Sequence, residues 1–131
     1  MPAIAWAAIA VAVAAVVLWK MVSPSIDKTV TRAIGDKNIA AVVEAISKQR
    51  ADAQPTLYNH AIRRLWDAYE RELATELIKE FAKQHHTENI AQYWLKQVAQ
   101  AEPNLATTIL TKPFFDSYFL PEVANRCGPV G

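Results

Sequence analysis

Large apolar residues recur four apart in three stretches of the chain, and the stretches are evenly spaced. Ile26, Val30 and Ile34 form the first set, Tyr58, Ile62 and Trp66 the second, and Ile90, Trp94 and Val98 the third, each thirty-two residues after the one before. A spacing of i, i+4, i+8 marks one face of a helix. Behind each set, at the same offset, comes a second apolar segment: Ala40–Ile46 (AAVVEAI), Glu72–Ile78 (ELATELI) and Asn104–Leu110 (NLATTIL). The pattern therefore predicts three units, each made of a helix, a short turn and a second helix.

Helix breakers and caps fall where this division needs them. Pro24 and Pro55 precede the first helix of units one and two, and Thr87 is the expected N-cap for that of unit three. Gly35-Asp36 is expected to end one helix and Glu102-Pro103 to open another; at Tyr69-Glu70 the pattern shifts without a strong breaker. The units run over about 24–55, 56–87 and 88–119, within a domain of residues 23–119 followed by a tail at 120–131. The expected fold class is all-α, a small α-solenoid-like stack in which each hairpin buries its faces on the next.

In its helix–turn–helix units and the small residues Ala74 and Ala106 early in the second helices, the domain resembles tetratricopeptide-like helical hairpin repeats. That resemblance implies a role in protein–protein contact. The chain departs from the family at Val42, which stands in place of alanine, and at Ile62 and Trp94, which stand in place of small residues. Its period is also shorter.

A different pattern occupies the start of the chain. From Ala3 to Met21 it reads AIAWAAIAVAVAAVVLWKM, without a charge before Lys20. Nineteen helical residues span about 28 Å, close to the thickness of a bilayer's hydrocarbon core. Trp6 and Trp19 fall near the two ends, where indoles prefer to sit. A basic n-region and a small-residue cleavage site are both lacking, so residues 1–22 read as a retained transmembrane anchor rather than a signal peptide. Lys20, Lys28, Arg32 and Lys37 follow the span and no Lys or Arg precedes it. The positive-inside rule then puts the helical domain in the cytoplasm of a bacterium, anchored in its inner membrane, or on the matrix side of a mitochondrial inner membrane. Ala3, Ala7, Ala10 and Ala14 share one face of the anchor, a small-residue stripe suited to packing on another membrane helix; such stripes also arise without a partner.

Composition and charge narrow the function. Only three glycines occur, which suits helices, and 14 basic residues are interspersed with 13 acidic ones. The basic footprint of a nucleic-acid binder is missing, so no nucleic-acid partner is expected. His85 and His86 are adjacent and point apart on a helix, whereas metal pairs on helices use i, i+3 or i, i+4. They read as a polar helix end, with no metal or other cofactor. Cys127 sits in the tail without a base, and Arg63 is set for an i, i+4 pair with Asp67. Glu72, Glu76 and Glu80 with Lys79 and Lys83 read as a charged face. No motif points to catalysis, and the expected role is not enzymatic.

One feature stands outside the period. After Pro113, the rings of Phe114, Phe115, Tyr118 and Phe119 fall within six residues. The favoured reading is a cap that folds back over the open end of the stack; the other is a partner-docking patch. Together these features predict an accessory or assembly subunit of a larger membrane complex, its partners being other membrane subunits and the lipid bilayer. A free-standing tethered adaptor that binds a peptide in a groove is the alternative.

Overall fold

The computed structural model describes residues 25–126, which form helices joined by short turns, with no strand among them. Helix α1 covers 25–36, α2 Ala40–Ser47, α3 Gln54–Asp67, α4 Arg71–His85 and α5 Asn89–Ala101. Helix α6 starts at Pro103–Leu105 and continues as a π-helical turn, Ala106–Leu110; α7 (Lys112–Tyr118) and α8 (Pro121–Arg126) follow. Among the described residues no helix is long and apolar enough to cross a membrane. The expected span at 3–21 lies outside them.

The apolar sets separated by thirty-two residues lie on α1, α3 and α5. The segments at Ala40, Glu72 and Asn104 lie on α2, α4 and α6 with its π turn. Seven of the nine first-helix residues are buried, Ile34 and Ile90 being half-buried. Helix α3 buries Leu57, Tyr58, Ala61, Ile62, Leu65 and Trp66, a stripe of helical period. Helix α4 answers with Leu73, Ala74, Leu77, Ile78, Phe81 and Ala82. Tyr58 and Phe81 stack across this pair with centroids 4.9 Å apart. One continuous core runs from Ile26 to Phe114.

The turns explain where helices stop. Helix α1 runs through Gly35-Asp36 and ends at Lys37, which takes the left-handed conformation (φ 54°); α3 ends the same way at Tyr69 (φ 61°). Around them the Asn38 N–H donates to Ala33 O at 3.1 Å and the Glu70 N–H to Leu65 O at 2.9 Å. These are equivalent bonds, thirty-two residues apart, closing the same C-terminal motif. Neither position carries the glycine that usually fills it, so each costs about 1 kcal/mol of backbone strain. This is why the shift at Tyr69-Glu70 has no breaker in the sequence. At α5 the N-cap is Glu88 rather than Thr87, in extended conformation and without a side-chain capping bond. Glu102-Pro103 opens α6 as expected.

Neighbouring first helices are tied by side chains. His60 Nε2 on α3 lies 2.7 Å from Asp27 Oδ1 on α1, and the Trp94 indole N–H on α5 donates to Asn59 Oδ1 on α3 at 2.8 Å. Asp27 and Asn59 hold equivalent positions, so the acceptor recurs with the period while its donor changes. Lys37 Nζ contacts both carboxylate oxygens of Glu70 at 2.9 Å, linking the first two turns. With its lysine largely exposed, that pair adds little stability.

Candidate interaction surfaces

The aromatic run after Pro113 folds against the third unit. Phe114 is buried, and Phe115, Tyr118 and Phe119 are half-buried against the core. Phe114 and Tyr118 sit 4.7 Å apart, the His86 ring meets Tyr118 at 5.6 Å, and Lys79 Nζ lies 5.9 Å from the Phe114 centroid. Helix α8 packs on α5 and covers the first half of the stretch expected as a tail.

A single buried amide fastens this segment. The Gln92 Nε2 group donates to Tyr118 O at 2.9 Å and to His86 O, and the Leu120 N–H donates to Gln92 Oε1 at 2.7 Å. Phe119, between the two clamped residues, is extended (φ −85°, ψ 128°). The amide thus pairs with an extended backbone much as an edge strand would, through a carbonyl and the N–H two residues on. Nothing in the sequence distinguishes Gln92 from the exposed glutamines around it. Its importance comes wholly from tertiary placement.

The connection into this segment is strained. Thr111 adopts φ 67°, ψ 158°, a region otherwise confined to glycine and costing about 1–3 kcal/mol. Its N–H closes the π turn on Ala106 O at 2.9 Å, and its carbonyl accepts from the Phe115 N–H at 3.2 Å. The helix therefore breaks two residues before Pro113, which takes an early position in α7 where its missing N–H costs nothing.

A second surface lies at the turn between α3 and α4. Tyr69 is 83% exposed, the only large apolar side chain so exposed among the described residues. Beside it, the Arg71 guanidinium stacks 3.8 Å from the Trp66 centroid and 5.6 Å from that of Tyr69. Arg71 Nη1 approaches Glu102 at 3.8 Å, and its Nε is buried without a hydrogen-bond partner. Trp66 meets Trp94 at a tilt (5.5 Å), and Trp94 meets Tyr93 edge-on (5.3 Å). Arg63 points its guanidinium at the Trp94 ring, 5.9 Å from the centroid, instead of making the expected pair with Asp67.

A third feature is an open cleft of about 310 Å³ between α1 and α3, lined by Val30, Ile34, Arg64, Asp67 and Ala68. Arg64 Nε reaches Asp27 Oδ1 at 3.5 Å on its rim.

The remaining candidates are placed as follows. His85 Nε2 lies 3.0 Å from Gln54 Oε1, and its ring packs on Tyr58 and Phe81. His85 and His86 thus serve different neighbours. Among the described residues no group of three or more His, Cys, Asp and Glu could hold a metal ion. On α4, Lys83 reaches Glu80 at 3.4 Å. Burial, and then the neighbouring Glu72, raise the Glu76 carboxyl above its ordinary pKa. Burial also raises the Tyr58 phenol, with Glu80 adding to it and the Gln84 hydrogen bond opposing it. Ala3, Ala7, Ala10, Ala14 and Cys127 lie outside the described residues. No family model, curated protein or solved structure matches the chain.

Proposed function

We propose that this chain is a membrane-anchored helical-repeat protein that serves as an accessory or assembly subunit of a larger membrane complex. In this reading residues 1–22 span the membrane and pack through Ala3, Ala7, Ala10 and Ala14 on another membrane subunit. The α-solenoid-like stack stands on the cytoplasmic or matrix side of a bacterial or mitochondrial inner membrane and docks on a partner.

The observation that carries the reading is Tyr69. An aromatic ring that is 83% exposed gains little from the fold, and its left-handed backbone is a cost. Tyrosine and arginine are also among the residue types most enriched at the hot spots where proteins bind one another. Tyr69 and Arg71 together form such a spot, at a turn well clear of the C-terminal segment. Fold alone does not fix function, so the proposal rests on this surface and on the character of the anchor.

Solubilisation from native membranes in mild detergent tests it. The expected result is a stoichiometric complex that weakens in Ala7→Leu and in Tyr69→Ser, with insertion and melting temperature preserved. A chain that runs alone under those conditions contradicts the proposal. The cleft between α1 and α3 favours the second reading, a tethered adaptor. There the aliphatic floor and the Arg64 and Asp67 walls hold a short extended peptide, and binding is lost in Ile34→Asp but not in Ala7→Leu.

A further inference from the structure

Helices α7 and α8 follow one strained residue and pack on α5, on the π turn that ends α6, and on side chains of α4 and of the turn between α4 and α5. Lys79 faces Phe114, His86 meets Tyr118, and Gln92 grips the backbone on both sides of Phe119. None of these contacts needs the segment and its seat to belong to the same chain. The link that keeps them in one chain is Thr111, in a conformation that a β-branched residue strongly resists. Both hinge residues favour an extended chain: Thr111 because it is β-branched, and Lys112 because it precedes Pro113. Pro113 also forbids α6 and α7 from merging into one straight helix.

We propose that the α7–α8 segment of one copy exchanges onto the α4–α5 seat of a second copy, giving a dimer built by reciprocal segment swapping. The occupant of each seat is then the same sequence that fills it in the monomer, so the aromatic contacts and the Gln92 clamp are remade unchanged. What differs is the hinge, which opens into an extended connection and relieves Thr111. A short strained hinge is the arrangement that invites such an exchange. The dimer forms slowly, because each segment must leave its own seat first.

Refolding of the full chain in mild detergent, at low and at high protein concentration, with mass measured by light scattering, tests the proposal. The expected result is monomer at low concentration and dimer at high concentration, the two interconverting slowly once folded. Thr111→Gly removes the strain without touching the seat and is expected to cut the dimer-to-monomer ratio by about tenfold or more. A wild-type chain that stays monomeric at every concentration overturns the proposal. So does a dimer whose abundance is the same in Thr111→Gly, because it must then form through another surface such as the anchor. Gln92→Glu gives a second check. It sets a carboxylate against two carbonyl oxygens, so it is expected to release the segment in both forms and leave a monomer with rapid amide exchange at Leu120. A dimer that persists in Gln92→Glu also overturns the exchange.

Discussion

The turns inside the first two helix pairs and the end of the third solve the same problem in different ways. At Lys37 and Tyr69 the turns share one backbone conformation and one hydrogen-bond pattern, at a fixed offset. Each is followed by another helix pair, so a repeated solution serves at both places. After α6 the described chain continues as α7 and α8, which fall outside the period. There the period gives way to a π turn, a strained threonine and a buried glutamine that holds the chain's own backbone. Periodicity in such a fold is a property of having a neighbour, and the terminal unit must be built from other chemistry.

The strongest way to break the periodic half is to remove Trp94. It is buried, meets the Trp66 ring at a tilt and donates to Asn59, so Trp94→Ala should cost about 3–5 kcal/mol in chemical denaturation. A loss below about 1 kcal/mol, outside the range for truncating a buried aromatic, would mean the indole is not in the core. Gln92→Leu attacks the other half. It leaves Tyr118 O and the Leu120 N–H without their partner, at a cost of about 2–3 kcal/mol. Amide exchange should then quicken in α7 and α8 while α3 and α4 stay protected. Uniform quickening across all helices would show that the segment and the stack unfold as one unit.

Smaller changes sharpen the comparison at the turns. Tyr69→Gly relieves the left-handed backbone but adds freedom to the unfolded chain, for a net gain of about 0.5–1 kcal/mol. A fall in stability would mean that the ring's contact with Arg71 outweighs the strain. The smallest effect belongs to Glu76→Gln. Burial and Glu72 raise the Glu76 pKa in the folded state, so the folded protein binds its proton more tightly than the unfolded chain. Stability therefore falls as pH rises from the ordinary carboxylate value through the raised one, and the penalty persists above it. At neutral pH Glu76→Gln should raise the melting temperature slightly, and the gain should vanish below that window. A pH-independent difference would point to packing instead.

What the sequence made legible follows the same division. The helix pairs could be read because they rest on large apolar residues whose helical period and thirty-two-residue recurrence are visible in one dimension. Ala40–Ile46, Glu72–Ile78 and Asn104–Leu110 all fall in second helices. The turn at Tyr69 was visible only as a shift in phase, because tyrosine there gives no local signal for a left-handed residue. Thr111 likewise gives no local signal for the break it carries. Helical spacing points Arg63 to Asp67 because it reveals neighbours within a helix and not the indole of the next helix. Gln92 was invisible: an amide in a helix looks the same whether it faces water or clamps another segment.

The central claim is that the aromatic C-terminal segment completes the fold by covering the third unit. Thermal melts of the helical domain with and without the residues from Pro113 onward test it most directly. Loss of the segment removes the Phe114 ring from the core and orphans the Gln92 amide. The account predicts a clearly lower melting temperature, or aggregation, with no partner present. An unchanged melting temperature would contradict it and make Phe114, Phe115, Tyr118 and Phe119 the partner-docking site instead.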